Sequence, residues 1–380
     1  MDFNLTEEHM MIRDAARDFA RTELLPGVIE RDEKQQFPHE QIKKMGELGF
    51  LGMMVDPKYG GGGMDTISYV LAMEEISKID ASASVVMSVN NSLVCWGLET
   101  FGTEEQKQKY LVPLAKGEII GAFCLSEPEA GSDATSQKTT AIDKGDYYLL
   151  NGTKNWITNG GNASVYLVIA QTHAEKGHHG INALIVEKGM EGFEIGPKEN
   201  KLGIRGSDTH SLLFTDVKVP KENRIGEDGF GFKFAMKTLA GGRIGIASQA
   251  LGIASGAYEL ALQYSKERKA FGKEISKHQA IAFKLADMAT EIEAARHLCI
   301  KAAWDKDQQN NYDISGAMAK LYTAEMAMRV TVEAVQIHGG YGFVKDYHVE
   351  RLMRDAKITQ IYEGTSEIQK IVISRNILKD

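Results

Sequence analysis

The distribution of proline constrains this fold more than any other feature of the sequence. All seven prolines lie at or before Pro220, so residues 221–380 contain none. Proline lacks a backbone N–H and clashes with the preceding helical turn, so a proline-free stretch of this length favours helices. Within it, residues 247–264 and 281–303 place apolar side chains at every third or fourth position. The sequence therefore predicts a C-terminal helical bundle.

The first 118 residues also favour helices, but shorter ones. Thr6 precedes Glu7 and Glu8, which is typical of a helix start because the hydroxyl caps free amides and the acids favour the positive end of the helix dipole. Residues 103–106 (TEEQ) have the pattern of a capping box. Residues 58–65 contain four consecutive glycines and are expected to form a loop. An N-terminal helical domain is predicted.

Residues 119–226 change to a β pattern. Short apolar runs are separated by Asn-Gly, Lys-Gly and other glycine-rich turns, as in strands joined by tight connections. The runs are 147–150, 165–169, 181–186 and 212–214. Helices followed by strands and again by helices do not match the βαβ alternation of a doubly wound sheet, and no G-x-G-x-x-G occurs, so no Rossmann site is expected. The prediction is an α+β multidomain protein divided into residues 1–118, 119–226 and 227–380.

Composition excludes several kinds of protein. The net charge of −8 argues against a nucleic-acid partner, which would need clustered Lys and Arg. Mean hydropathy is −0.26 and no apolar run reaches the length of about 18 residues that a membrane span requires. The three cysteines are far apart and the first residues are acidic, unlike an export signal. We therefore expect a reducing, cytoplasmic location.

No metal site is expected either. The ten histidines include no His-Glu-x-x-His pattern and no His/Cys spacing suited to zinc. His173, His178 and His179 lie between two predicted strands, where a solvated turn is the ordinary explanation.

Five segments carry candidate functional residues, although each alone has a plain structural explanation. They are 123–133, 155–160, 267–272 with Gln279, 336–343 and 361–368. The first offers free amides and hydroxyls but also fits a strand–loop connection, and Trp156 in the second fits ordinary core packing. Arg268 in the third fits a pyrophosphate or a solvated helix end, and the glycines of the fourth fit a ligand or a helix cap. Glu363 in the fifth, taken alone, is most simply a solvated turn residue.

Together the five segments resemble the FAD-dependent acyl-CoA dehydrogenases. The motifs SEPEAGSD, WITNGG, ERKAFG, QIHGGYGF and IYEGTSEIQ occur in that family's order and spacing, and the resemblance runs nearly end to end. Within the family the chain is most similar to bacterial short-chain, butyryl-CoA-type dehydrogenases. The resemblance implies an N-terminal helical domain, a barrel-like middle β domain and a C-terminal four-helix bundle, the order that the residue patterns also predict.

The resemblance implies an FAD site without a Rossmann fold. The residues expected near the flavin ring are Phe123, Leu125, Ser126, Gly131, Ser132, Trp156, Ile157 and Thr158. Those expected at the rest of the cofactor, partly across a subunit interface, are Arg268, Phe271, Gln279, Gln336, Gly339, Gly340, Thr365 and Glu367. A homotetramer, arranged as a dimer of dimers, is implied as well.

Glu363 matches the family's catalytic base. Removing the proton alpha to a thioester requires a carboxylate beside that carbon and stabilisation of the developing enolate. In the family mechanism this base takes the alpha proton while a hydride leaves the beta carbon for the flavin. The substrate contacts implied are Ser132, Arg243, Tyr362 and Gly364.

One position separates subfamilies. Isovaleryl-CoA-type and long-chain relatives carry the base on a bundle helix, at the position that is Gly242 here. Because glycine cannot act as a base, Glu363 is the only matching candidate. Ala240 departs from the acidic residue of medium-chain relatives, so the CoA contacts near it are not carried over.

The implied reaction converts a short straight-chain acyl-CoA to its trans-2-enoyl-CoA and passes electrons to electron-transfer flavoprotein. A branched-chain or medium-chain dehydrogenase and an acyl-CoA oxidase stay open, because motifs do not report pocket depth or the electron acceptor. A flavin-binding subunit of a larger electron-transfer complex is the alternative from another class.

Overall fold

The computed structural model describes residues 5–379, and the first part of the chain is helical. Thr6 caps the first helix, with its hydroxyl accepting from the His9 amide at 3.1 Å. Thr103 caps another by accepting from the Gln106 amide at 3.2 Å, and this confirms the predicted capping box. The helices are α1 (Glu7–Phe19), α2 (Val28–Glu33), α3 (His39–Glu47), α4 (Thr66–Ile79), α5 (Ala81–Ser88), α6 (Trp96–Phe101), α7 (Glu104–Gln106) and α8 (Val112–Ala115).

π-helical segments extend three of these helices. They are Ala20–Leu24 after α1, Val89–Cys95 between α5 and α6, and Lys107–Leu111 between α7 and α8. The segment Val89–Cys95 is buried throughout and contributes Leu93 to the candidate site described below. Of the predicted loop 58–65, residues 60–65 are irregular as expected, whereas Lys58 and Tyr59 belong to a short 3-10 helix, Pro57–Tyr59.

The middle of the chain forms one eight-stranded sheet, and all four predicted runs lie in it. The strands are β1 (Gly121–Cys124), β2 (Thr140–Asp143), β3 (Tyr147–Thr158), β4 (Val165–Gln171), β5 (Ile181–Glu187), β6 (Phe193–Lys198), β7 (Thr209–Pro220) and β8 (Arg224–Ile225). Their order is β6-β7-β3-β2-β4-β5-β8, and β1 pairs parallel with β4. His173, His178 and His179 lie in the connection between β4 and β5, as expected.

Strand β4 joins the sheet to the helices. Alternate side chains point to opposite faces of a strand. Val165, Leu167 and Ile169 pack in the core that includes the C-terminal helices, whereas Tyr166 and Val168 pack in the separate core of the sheet. The strand is therefore buried on both faces, which accounts for its continuous apolar run.

The C-terminal part is the predicted helical bundle. Its helices are α9 (Gly231–Glu267), α10 (Gln279–Asp307), α11 (Asp313–His338), α12 (His348–Ala356) and α13 (Ser366–Ile377). A short hairpin of β9 (Lys269–Ala270) and β10 (Lys273–Glu274), which the sequence did not predict, separates α9 from α10. Helix α9 packs against α4, α10 and α11, so it borders both helical regions. Within residues 5–379, no helix is long and apolar enough to cross a membrane.

Candidate active site

The turn between α12 and α13 carries Glu363 in an unusual backbone conformation. Glu363 has φ 52° and Gly364 has φ 91°, so two consecutive residues lie in the left-handed region. Glycine adopts this region freely, but a residue with a Cβ pays a steric cost that the surrounding structure has to offset. Thr365 then begins α13 by accepting a hydrogen bond from the Ile368 amide at 3.3 Å. The conformation directs the Glu363 side chain back toward α9.

One oxygen of the Glu363 carboxylate is buried without a hydrogen-bond partner. The residue is partly exposed as a whole, but its Oε2 atom has no contact with solvent and accepts no hydrogen bond. Burial raises the pKa of Glu363 to about 7, and the nearby cations Lys320 and Arg243 oppose that rise. Buried polar atoms in proteins almost always have partners, so an unpaired carboxylate oxygen indicates a site that receives a ligand.

Gly242 on α9 makes the space that this carboxylate occupies. A Cβ at Gly242 would lie 2.1 Å from Glu363 Oε2 and 2.8 Å from Leu93 Cδ2. No side chain fits there without displacing the carboxylate. A side chain at position 242 and the Glu363 carboxylate would therefore compete for one space, and Glu363 fills it in this chain.

Beyond Gly242, the same face of α9 is closed by polar side chains. A Cβ at Gly245 would lie 2.6 Å from both Tyr69 Oη and Ser88 Oγ. Farther along, the fully buried Gln249 donates to the Ala81 carbonyl at 2.9 Å and accepts from the Tyr362 hydroxyl. Polar side chains thus cover this face of α9 from Gly245 to Gln249, within about two helical turns of Gly242.

Arg243 lies at the same site. Its Nε atom is buried and has no hydrogen-bond partner, and its pKa is lowered by burial, against the raising effect of Asp313 and Glu363. The structure therefore brings together Arg243, Tyr362, Glu363 and Gly364 of the predicted set. Ser132 and Gly131 lie exposed on a separate loop.

The loop after β1 and the end of β3 form the second part of the site. The Asn155 amide donates to the Ser126 carbonyl at 2.9 Å, so these two predicted segments are adjacent. A register shift between β3 and β7 lies between Lys154 and Ile157, and Trp156 within it has φ 62° and a 62% exposed side chain. An exposed indole beside backbone groups released from a sheet suits a flat, polar ring system.

The residues predicted to contact the flavin differ in whether their side chains or only their backbone atoms are accessible to a ligand. Four of them are partly buried, so each keeps some surface that a ligand can reach: Phe123, Leu125, Ser126 and Thr158. Ile157 is 2% exposed and points into the core of the sheet, so only its backbone can meet a ligand.

A buried ion pair between Lys154 and Glu127 anchors the loop that follows β1. Lys154 has an exposed fraction of 0%, and its Nζ donates to the Leu125 carbonyl at 3.0 Å and to Glu127 Oε1 at 2.7 Å. Glu127 also accepts from the Thr139 amide at 3.1 Å. Both partners of the ion pair are multiply bonded, so the segment from Leu125 to Glu127 is fixed rather than loose.

The remaining predicted cofactor residues lie mostly on exposed surface. Arg268 stacks over the Tyr341 ring at 5.6 Å and thereby joins segments 267–272 and 336–343. Phe271 has φ 52° and is 96% exposed. The other members of this group are exposed as well: Gln279, Gln336, Gly339, Gly340 and Glu367. Gly339 also ends α11 with φ 60°, so the helix-cap explanation holds for its backbone.

Sequence reasoning missed the polar residues that support the site. They are Tyr69, Lys154, Gln249, Lys320 and Gln369, all of which are buried. A lysine or glutamine within a helical or strand pattern usually faces solvent, so the pattern gave no reason to single them out. No group of three or more His, Cys, Asp or Glu suited to a metal ion occurs in the part of the chain that the structure describes.

Three family models match the chain in order. The models described as acyl-CoA dehydrogenase N-terminal, middle and C-terminal domain match residues 6–118, 122–217 and 229–378. These matches, together with the helical, β and helical order and the unpaired carboxylate, define a three-domain flavoprotein dehydrogenase.

Individual relatives agree over the full length. The chain is 54% identical over 379 residues to the short-chain specific acyl-CoA dehydrogenase of Clostridium acetobutylicum, and 100% of both chains is covered. It is 51% identical to the butyryl-CoA dehydrogenase structure from Megasphaera elsdenii, again over 100% of both chains, with a TM-score of 0.98. A chain in a structure described as the electron transferring flavoprotein of Acidaminococcus fermentans has 54% identity, 100% coverage of both chains and a TM-score of 0.99.

The chain belongs to the acyl-CoA dehydrogenase family and is an FAD-dependent oxidoreductase. The family, the fold class and the cofactor predicted from the sequence are confirmed. The exposed Trp156 and the fixed Leu125–Glu127 segment fit FAD.

Proposed function

We propose that this chain oxidises short, straight-chain acyl-CoA thioesters to trans-2-enoyl-CoA, with Glu363 as the base that removes the alpha proton. The observation that carries the proposal is the buried, unpaired Oε2 of Glu363 facing Gly242. A general base works best when its pKa lies near the operating pH, and burial raises the pKa of Glu363 to about 7. An ordinary solvated glutamate would be a far weaker base.

The chain's own residues supply binding, orientation and proton transfer. Arg243, whose Nε lacks a partner, is proposed to bind the CoA portion, and the Glu363 amide to donate to the thioester carbonyl. The consecutive left-handed residues Glu363 and Gly364 support this proposal, because such a turn can present a side chain and a backbone amide to the same ligand. Ser132 and Tyr362 are proposed as further substrate contacts.

FAD, when bound, supplies the acceptor for the hydride that leaves the beta carbon. We propose that Leu125 and Ser126 hold the polar edge of its ring system and that Trp156 flanks the ring face, with Phe123, Gly131, Ile157 and Thr158 completing that pocket. The hydrogen bond between Asn155 and Ser126 supports this arrangement because it joins the two segments.

The polar side chains packed against α9 beyond Gly242 support a short acyl chain. Tyr69 Oη and Ser88 Oγ crowd Gly245, one helical turn from Gly242, and Gln249 blocks the next turn. One turn of helix rises only about 5.4 Å, which is room for a few carbons. A medium-chain substrate would require displacing these side chains, including Gln249 with its hydrogen bonds to Ala81 and Tyr362.

Electron-transfer flavoprotein is the proposed electron acceptor. A chain in the structure described as the electron transferring flavoprotein of Acidaminococcus fermentans is 54% identical to this one, which supports that pairing.

We also propose the homotetramer, because the exposed group around Arg268, Phe271 and Gln336 forms an incomplete cofactor site in one chain. Contact with the same group of a partner subunit would complete it, together with Thr365 and Glu367. The 96% exposed aromatic ring of Phe271 is the strongest reason to expect a covering surface.

Domain boundaries and location remain predictions. Division after residues 118 and 226 is supported by the start of β1 at Gly121 and of α9 at Gly231. A cytoplasmic location is supported by three free, buried cysteines, Cys95, Cys124 and Cys299.

The deciding experiment is the substitution Glu363→Gln. The holoenzyme variant is expected to keep FAD, yet butyryl-CoA added without oxygen should no longer bleach the flavin. Glu40→Gln, at an exposed position on α3, is the matched control and should bleach like the parent. Retained bleaching in Glu363→Gln would exclude Glu363 as the base.

A further inference from the structure

Lys320 is a fully buried lysine on α11 that the proposed reaction leaves without a role. Its exposed fraction is 0%, and its Nζ donates to the backbone carbonyl of Gly364 at 2.7 Å rather than to a carboxylate. Burying an ammonium group costs several kcal/mol unless it is compensated, so a lone carbonyl partner is an unusual environment for it. The turn that carries Glu363 supplies the direct hydrogen bond, and acidic groups nearby favour the charged form.

Gln369 holds the same turn from α13. Its side-chain amide donates to the Gly364 carbonyl at 2.9 Å and to the Glu363 carbonyl at 3.2 Å. Lys320 and Gln369 together bond both carbonyls of the turn. Because Glu363 has a left-handed backbone that costs energy, these bonds stabilise a conformation the turn would otherwise leave.

The charges around Glu363 and Lys320 come from several packed elements. Near Glu363 the cations are Lys320 from α11 and Arg243 from α9, and the neutral titratable groups are the Tyr69 and Tyr362 hydroxyls. Further groups face the two cations: Glu325 and Glu367 near Lys320, and Tyr312 and Asp313 near Arg243. Lys320 is therefore one of two positive charges near the Glu363 carboxylate, and it lowers the pKa of that carboxylate more than Arg243 does.

We propose that Lys320 is a positioning residue for Glu363: its hydrogen bond to Gly364 fixes the turn, and its charge stabilises the ionised carboxylate. The inference rests on Glu363 being the base. It assigns to Lys320 no contact with substrate or cofactor.

Four variants separate the charge from the hydrogen bond. Lys320→Met removes both, Lys320→Gln keeps a donor without charge, and Lys320→Arg keeps both. Gln369→Leu removes the other support of the turn without changing any charge. The rate of flavin reduction by butyryl-CoA, measured anaerobically against pH in one turnover, reports the ionisation of Glu363 in each.

The expected result is a displaced pH profile. Loss of a nearby opposite charge raises the pKa of an acid by about one unit or more. The pH at which the reduction rate reaches half its maximum should rise by about one unit in Lys320→Met and Lys320→Gln. It should be unchanged in Lys320→Arg and Gln369→Leu. A rise from about 7 to about 8 leaves a tenth of the carboxylate ionised at pH 7 rather than half, so the rate falls about fivefold.

A spectroscopic titration gives a second readout. The infrared band of the protonated Glu363 carboxyl, assigned by its absence in Glu363→Gln, should disappear at a higher pH in Lys320→Gln than in the parent. This infrared readout does not depend on catalytic turnover. If Lys320→Met fails to fold, Lys320→Gln carries the test alone.

The two proposals fail separately. If Glu363→Gln abolishes bleaching but the midpoint and the infrared band in Lys320→Gln match the parent, the role of Lys320 is wrong and the base is right. Bleaching retained in Glu363→Gln would instead remove the base, and with it this inference.

Discussion

Replacing Glu363 by glutamine should make the protein more stable at alkaline pH. Burial raises the pKa of this carboxyl from 4.5 to about 7, so the folded state holds a proton that the unfolded state releases. A raised acid pKa leaves stability intact below 4.5 and removes it progressively as the pH rises through 7. At pH 8 the parent carries almost the full penalty, whereas glutamine carries none.

The size of the effect follows from the displacement of the pKa. Each unit is worth about 1.4 kcal/mol, so the penalty at pH 8 exceeds that at pH 5 by about 2.5 kcal/mol. This is an upper value, because Glu363 is partly exposed as a residue and solvent reduces the penalty. In a chain of 380 residues it corresponds to about 3 °C in melting temperature.

The assay is thermal unfolding of both holoenzymes at pH 5 and pH 8. The quantity to compare is the gain in melting temperature of Glu363→Gln over the parent at pH 8 minus the same gain at pH 5, which cancels contributions from titrating groups that do not interact with Glu363. Glu40→Gln should give a difference close to zero. An equally small difference for Glu363→Gln would show that the carboxylate is solvated, and the electrostatic reasoning would be refuted.

Three further substitutions test the rest of the site. Gly242→Ala places a methyl group 2.1 Å from Glu363 Oε2, so flavin reduction by butyryl-CoA should slow at least about tenfold while FAD stays bound. An unchanged rate would show that the methyl group and the carboxylate do not compete for the same space. Lys154→Met leaves the buried Glu127 without its cation, so the free energy of unfolding should fall by about 3–5 kcal/mol. FAD should also dissociate more readily when the holoenzyme is diluted. Normal FAD retention would show that Lys154 does not support the loop after β1. Gln249→Ala removes the polar side chain two turns beyond Gly242. The kcat/KM for hexanoyl-CoA relative to butyryl-CoA should therefore rise about fifteenfold, at about 0.8 kcal/mol for each of two methylenes. An unchanged ratio would place the chain-length limit elsewhere.

Local patterns in the sequence were sufficient for the outline of the fold. The absence of proline after Pro220, the Thr103 capping box and the run at β4 act through backbone geometry and nearest neighbours, and each predicted its element. The hairpin β9–β10 escaped prediction because it has two-residue strands, too short for any periodicity.

Motif order identified the family and predicted Glu363 as the base, but it gave no information on the burial or pKa of that residue. The sequence by itself determined which residues could act, because helix, strand and turn patterns and motif spacing are written along the chain. Only the tertiary structure decided that Glu363 lies against Gly242 without a partner, and that Lys320 and Lys154 are buried. The reason is physical: desolvation and charge interactions depend on which distant segments pack around a group, and no local pattern records that packing.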